Sequence, residues 1–205
     1  MKCRLGLISM ATSTLLLAAV TACGDSDTDP PSSSPTSPTS SSPTASASPT
    51  SPSDAATADA TSAVHNYFAV VDQLRSEPAA GLKQLKSVAT SAQLTAVETL
   101  IRRQRDEGQR QTGTTAISEL TVQSVSLDNS APEAGKVPTV VIDVCWDVSK
   151  VDVLDESGKS IVSPDRPDTG WTRYTVANYE YAAYPTGGWR VATGQDLEQT
   201  PCAAS

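Results

Sequence analysis

A stretch rich in serine, threonine and proline occupies residues 26–53, where these three residue types fill 24 of 28 positions. Apart from the prolines, it contains no apolar side chain larger than alanine. Such a segment cannot bury enough surface to offset the entropy lost on ordering. We therefore expect a disordered, extended linker within residues 23–59 and one folded domain over residues 60–205. The Ser/Thr-Pro repeats are also compatible with O-glycosylation, although a plain spacer is the simpler interpretation.

The chain begins with a short basic head, Met1 to Arg4, followed by a mostly apolar run over residues 5–22. A charged head, a short apolar core and small residues before a cleavage point are typical of a secretory signal. A transmembrane anchor is the alternative, but the run is short and contains several Ser and Thr residues. We expect residues 1–22 to be a signal peptide.

The apolar run ends in Val20-Thr21-Ala22-Cys23, which resembles the lipobox of bacterial lipoproteins. The resemblance implies that the Cys23 thiol carries a diacylglyceryl group and that Cys23 becomes the first residue of the mature chain. Two acyl chains give stable attachment to a membrane. The expected location is therefore the extracytoplasmic face of the cell membrane.

The charge of the chain argues against one class of partner. The formal net charge of -8 becomes -10 when Lys2 and Arg4 are removed with the signal. A chain this acidic cannot neutralise phosphates, so we expect no nucleic-acid partner. It also gains no electrostatic attraction to an anionic membrane surface, so membrane attachment would depend on the lipid at Cys23.

The folded part changes from helical periodicity to period two near Ile117. Three helices are predicted from apolar stripes: Val64, Tyr67, Phe68, Val71 and Leu74; Leu82, Leu85 and Val88; and Leu94, Val97, Leu100 and Ile101. Strands are predicted at residues 120–127, 140–153, 171–181 and 189–193. Helices followed by strands indicate an α+β fold, with N-terminal helices packed on a curved, cone-like antiparallel sheet.

Two segments resemble known proteins. Helix, short helix, helix and a meander ending in GGWRV resemble the nuclear-transport-factor-two-like (NTF2-like), or cystatin-like, cone fold. The segment CWDVSKVDVLDESGKSIVSPDRP, with a tryptophan strand and a terminal cysteine after it, is similar to a family of small actinobacterial secreted lipoproteins. The similarity covers most of the region from Tyr67 to Cys202. It implies architecture and export, and no particular reaction.

Two cysteines remain once Cys3 is assigned to the signal and Cys23 to the lipid. Cys145 and Cys202 would both lie beyond the membrane, where disulfides persist, so we expect them to pair. A cysteine nucleophile would need a base, and the only histidine in the sequence, His65, is on a predicted helix far from Cys145. A zinc site needs several ligands at short spacings, which the sequence does not supply.

The strand around Cys145 has two different faces under period-two alternation. One face carries Val140, Ile142, Val144, Trp146 and Val148, and the other carries Val141, Asp143, Cys145 and Asp147. Enzymes of the cone fold, such as ketosteroid isomerase, place their acid and base inside the cone. Because the aliphatic face points there, we assign no catalytic carboxylate.

Several charged residues near turns have simpler roles than ligand binding. The loop DESGK has too few carboxylates for calcium, and its Asp and Ser side chains favour turns. Arg166 either pairs with a nearby Asp or recognises a carboxylate ligand, and we favour the structural role. The run RRQRDEGQR could bind an anion, but we favour its interpretation as a solvated helix face with ion pairs.

The aromatic residues concentrate in the last two predicted strands. Five side chains are predicted to line a possible pocket: Tyr67, Trp146, Trp171, Tyr174 and Trp189. The leading expectation is a non-catalytic domain that binds a small ligand, a cell-wall component or a protein, with no cofactor and no metal. One alternative is an enzyme in which Tyr67, Asp72 or Tyr174 converge in a pocket. The other is an accessory envelope protein without a ligand.

Overall fold

The computed structural model describes residues 51–199 and 202–203. The predicted signal peptide, Cys23 and most of the predicted linker lie outside these residues. The described part has three α-helices: α1 (Pro52–Ser76), α2 (Leu85–Val88) and α3 (Ser91–Asp106). Its six strands are β1 (Arg110–Thr112), β2 (Ala116–Ser126), β3 (Thr139–Asp147), β4 (Asp152–Leu154), β5 (Thr169–Ala177) and β6 (Arg190–Leu197). The fold class is α+β, as predicted.

Helix α1 begins well before the predicted domain boundary at residue 60, so residues 52–59 are helical and not linker. The Ser51 hydroxyl accepts a hydrogen bond from the Asp54 backbone N–H at 3.1 Å. Pro52 occupies the first turn, where its missing N–H is harmless. Ala56 is buried in the core. Ser51 and Pro52, two residues of the predicted linker, therefore start this helix.

The C-terminal end of α1 is held by Arg105 of α3. Its guanidinium donates to the Ala80 carbonyl at 2.9 Å and to the Leu74 carbonyl at 2.8 Å. A cation at this position also favours the negative end of the helix dipole. Two further arginines of the basic run make surface ion pairs along α3: Arg102 with Glu98 and Arg103 with Glu107. These contacts support the structural interpretation of that run.

Four strands form an antiparallel sheet in the order β2-β3-β5-β6, and β1 pairs separately with β4. Register shifts in β2 and between Thr175 and Val176 of β5 mark bulges that increase local bending and twist. The fully buried residues Val140, Ile142 and Val144 of β3 belong to the core shared with the helices. The alternation predicted for this strand is confirmed.

The long strand predicted over residues 140–153 is wrong, because the chain turns after Asp147. The Asp147 carboxylate accepts a hydrogen bond from the Ser149 backbone N–H at 2.8 Å. The Val151 N–H then closes the turn on the Val148 carbonyl at 2.9 Å. An aspartate bonding two residues ahead stabilises such a turn without glycine or proline. The chain resumes as β4, which pairs with β1 instead of extending the main sheet.

The second face of β3 is buried as well, although the helices lie on the other side. Asp143, only 5 % exposed, receives two hydrogen bonds from Arg173 at 2.6 and 2.7 Å. The two residues are directly opposite each other in the β3–β5 pairing. A bidentate pair of this kind satisfies both carboxylate oxygens. Asp143 is therefore held in a structural ion pair outside the helix-covered face.

Candidate functional site

The structure brings Cys145 and Cys202, the pair predicted from the sequence, to disulfide distance with Cα atoms 6.2 Å apart. This Cα separation suits a disulfide bond. The Thr169 hydroxyl donates to the Cys202 carbonyl at 2.9 Å and fixes the tail beside β5. His65 is exposed on α1 and lines a shallow recess on the helical side. Since Cys145 faces the other side of the sheet, the two do not form a catalytic pair.

A cavity of about 580 Å³ lies between α1, α3 and the helix-covered face of the sheet. This volume is within the range of small-molecule sites. Most of its wall is apolar: Phe68, Val71, Ala96, Val97, Leu100, Trp146, Val148, Val151, Val153 and Pro167. The polar part consists of Tyr67, Asp72, Arg75, Gln93, Thr115, Arg166, Thr172, Tyr174 and Asp196. Leu100, predicted to be buried, is 47 % exposed and borders this cavity.

Trp146 forms part of the sheet-side wall, and its orientation is fixed by two features. Its Nε1 donates to the Thr172 hydroxyl at 3.1 Å, and that hydroxyl donates to Asp196 at 2.8 Å. Gly170 is directly opposite Trp146 in the β3–β5 register. A Cβ at Gly170 would collide with the indole ring. The absence of a side chain at Gly170 therefore lets the indole ring approach β5 closely.

An aromatic cluster closes one side of the cavity. The rings of Tyr67, Phe68 and Tyr174 pack with centroids 5.6 to 5.9 Å apart. The Tyr67 hydroxyl accepts a hydrogen bond from Gln93 of α3 at 2.5 Å. Burial raises the pKa of Tyr67 and of Tyr174 above that of a free phenol. Both tyrosines therefore remain neutral donors at physiological pH.

Asp72 is the buried carboxylate of the cavity, and its oxygens are engaged. One oxygen accepts from the Gln111 amide at 2.7 Å and from the Thr115 hydroxyl at 3.0 Å. The other accepts from the Thr115 backbone N–H at 2.6 Å. These bonds join α1 to β1 and to the turn that precedes β2. Asp72 therefore has a structural role, because it links α1 to these two segments.

The two arginines of the cavity, Arg75 and Arg166, differ in the hydrogen bonds that they make. Arg166 donates from one nitrogen to the Val148 carbonyl at 2.8 Å and to the Val151 carbonyl at 2.9 Å, which holds the turn after β3. Arg75 donates only its Nε, to the Gln104 side chain at 3.0 Å. Within the described residues, the Nη atoms of Arg75 have no hydrogen-bond or ion-pair partner. The structural role favoured for Arg166 agrees with its contacts.

Three of the five aromatic side chains predicted for a pocket line this cavity: Tyr67, Trp146 and Tyr174. Trp171 does not, because it alternates with Thr172 on β5 and pairs with Cys145 on the opposite face. Trp189 does not line it either. Its ring packs on Tyr181 with centroids 6.2 Å apart, and its Nε1 donates to the Pro185 carbonyl. It borders a separate recess of about 170 Å³.

Sequence reasoning missed Arg75 as a cavity residue, although a signal was present. Tyr67, Val71 and Arg75 follow one another at intervals of four, so they share one face of α1. Phe68 and Gln93 were also not assigned to the site. The sequence did not indicate which helix face opens into a cavity and which closes into the core.

No helix in residues 51–199 reaches the length and hydrophobicity needed to cross a membrane. Among the same residues and 202–203, no three His, Cys, Asp or Glu side chains are grouped closely enough to hold a metal ion.

Comparisons with known proteins show no family. No protein-family model matches the chain, and no curated protein does. Among solved structures, the crystal structure of the intermembrane space region of the chloroplast protein ARC6 is similar, with 19% sequence identity and a TM-score of 0.46. The match covers 70% of this chain and 96% of that chain. A likeness at this level supports no statement about function.

Proposed function

We propose that this chain is a lipid-anchored protein of the extracytoplasmic membrane face, tethered through Cys23, whose domain binds a small ligand without catalysis. The observation that carries the binding role is the cavity between α1, α3 and the sheet. It combines a largely apolar wall with polar groups, most of them held by hydrogen bonds, as in many small-molecule sites. On the sequence segments quoted above, we also propose membership of the actinobacterial secreted lipoproteins with an NTF2-like domain.

The contacts within the cavity favour binding over the enzyme alternative. That alternative needs polar residues such as Tyr67, Asp72 or Tyr174 to converge in a pocket, and all three do line the cavity. A general base, however, needs a carboxylate available to the substrate. Asp72 accepts three hydrogen bonds from Gln111 and Thr115, and burial raises the pKa of both tyrosines. Asp196, the other carboxylate of the lining, is exposed and accepts a hydrogen bond from Thr172. The one buried carboxylate of the lining is therefore already hydrogen-bonded at both oxygens, which favours positioning a ligand over taking a proton from it.

Filling the cavity tests the binding role. Ala96 is exposed on α3 and lines the cavity, so Ala96→Trp should obstruct it without disturbing the core. Ala92, one turn earlier and also exposed, does not line it, and Ala92→Trp is the matched control. We expect an anilinonaphthalene dye to bind the unaltered protein and the control with similar affinity. Ala96→Trp should weaken this binding at least tenfold. Equal dye binding by all three proteins would contradict the proposal.

Membrane fractionation tests the anchor separately. Replacing Cys23 with Ser removes the thiol that would carry the lipid, so the protein should leave the membrane fraction. Cys145→Ala is the matched control, since it removes a cysteine of the folded domain and leaves Cys23 intact. Retention of the Cys23→Ser protein in membranes would refute lipid anchoring at this residue.

A further inference from the structure

Arg75 is a cation of the cavity with unused hydrogen-bond donors. It lies in the last turn of α1, and its Nε is tethered to Gln104 of α3 at 3.0 Å. This tether restricts the guanidinium, while its Nη atoms have no protein partner within the described residues. A restricted guanidinium that presents a free pair of donors matches the two oxygens of a carboxylate.

The charges around Arg75 favour a single negative charge on the ligand. Burial lowers the pKa of Arg75 and the nearby Arg166 acts in the same direction, whereas Asp72 and Tyr67 oppose them. Arg75 forms no ion pair with Asp72 or any other described carboxylate. An incoming anion would offset the unfavourable burial. Asp72, however, repels a second negative charge, so a monoanion fits better than a dianion.

The apolar wall begins beside Arg75 and runs along α1. Val71 is one turn away and Phe68 almost two, and the lining of this helix ends at Tyr67. From Tyr67 to Arg75 the helix rises through eight steps, or about 12 Å. On the facing wall lie Val97 of α3 and Trp146 of β3. A hydrocarbon body of this length would replace water along both walls.

The other acidic group of the cavity fixes the orientation of such a ligand. Asp196 of β6 accepts a hydrogen bond from Thr172 and acts electrostatically on Tyr174, at the aromatic side of the cavity. It is not among the charges that perturb Arg75. A negative head group is therefore favoured at Arg75 and disfavoured near Asp196. The hydrocarbon would point from Arg75 towards the aromatic cluster.

We propose that the cavity binds an amphipathic monocarboxylate, with its carboxylate on the Nη atoms of Arg75 and its hydrocarbon body along Val71 and Phe68. This proposal rests on the proposed binding function and specifies its ligand class. It predicts that the site distinguishes an anionic head from a neutral head on the same hydrocarbon. Because bidentate geometry supplies much of the contact, lysine should not replace Arg75.

Decanoate and decanol test the proposal, because they share a hydrocarbon and differ in the head group. Binding to the full-length mature chain carrying Cys23→Ser is measured by titration calorimetry. Decanoate should bind roughly tenfold to a hundredfold more tightly than decanol, the range for hydrogen bonds to a charged partner. Arg75→Gln should abolish this preference while leaving the decanol affinity within about twofold. Arg103→Gln, an exposed arginine outside the cavity, is the matched control and should keep the preference.

Each outcome separates the ligand class from the binding role. Equal binding of decanoate and decanol to the unaltered cavity would overturn the carboxylate proposal and leave the binding function standing. Failure of both probes to bind would count against both. A preference that survives Arg75→Gln would overturn the assignment of Arg75. If Arg75→Gln does not fold, Arg75→Lys retains the charge and should still lose most of the preference, and full retention would overturn the bidentate contact.

Discussion

The Cys145–Cys202 bond gives the most quantitative prediction for stability. The two residues are 57 positions apart in sequence. In the chain-entropy model, closing a loop of this length stabilises the folded state by about 4 kcal/mol at 25 °C. Replacing both cysteines with alanine should therefore lower the free energy of unfolding by about this amount. With a urea slope of about 2 kcal/mol/M, the midpoint should fall by about 2 M.

Reduction of the disulfide gives a second measurement of the same free energy without deleting either of its side chains. The Cys23→Ser chain is unfolded in urea with and without reductant, and its unfolding is followed by tryptophan fluorescence. The reduced protein and the double alanine variant should agree within about 1 kcal/mol. Intact mass after alkylation should show two thiols only upon reduction. Free thiols in the native protein, or a stability difference below about 1 kcal/mol, would refute the reasoning.

Three further predictions concern α1, the cavity wall and a surface turn. Ser51→Ala removes the cap of α1 and should cost about 1 kcal/mol in urea unfolding, whereas no loss would mean that the helix starts later. Gly170→Ala should lower the melting temperature and shift Trp146 fluorescence, because a Cβ there meets the indole; unchanged values would contradict the packing described. Hydrogen bonds from Ser157 lower the pKa of Asp155, so the charged form stabilises the fold above the unfolded-state pKa, and this contribution is lost as pH falls through the folded-state pKa. Asp155→Asn should therefore flatten the acid limb of a stability–pH curve, and an unchanged limb would contradict this.

The sequence predicted the faces of β3 because alternation is a local property of an extended chain. Val140, Ile142 and Val144 are fully buried against the helices, and Cys145 faces the other side. The prediction that Trp171 lines the pocket is wrong, although the same alternation places its side chain on the face of β5 that Thr172 does not occupy. The period-two rule was sufficient here, and the error came from grouping aromatic residues by type instead of by face.

Two boundaries could not be read from composition. The start of α1 lies in a segment whose Ser and Pro content is typical of a linker, yet Ser51 and Pro52 are also preferred at a helix start. The turn after Asp147 continues a run of β-branched residues and contains neither glycine nor proline. The strand ends where the Asp147 side chain accepts a hydrogen bond from the Ser149 backbone N–H and where Arg166 donates a hydrogen bond to the Val148 carbonyl. Neither contact has a compositional signature.

Whether the Trp146 face closes a core or lines a cavity depends on residues that are distant in sequence. Val144 and Trp146 share that face, yet Val144 is fully buried while Trp146 borders the cavity. On the helix side, the exposed Ala96 of α3 lines the same cavity. Gly170 lets the indole lie against β5, because a Cβ there would meet the ring. The cavity is therefore lined by residues from different elements, and only their juxtaposition in three dimensions reveals it. A tryptophan at position 96 should obstruct this cavity, and a side chain at position 170 should displace the Trp146 ring that lines it, so both replacements should weaken the proposed ligand binding.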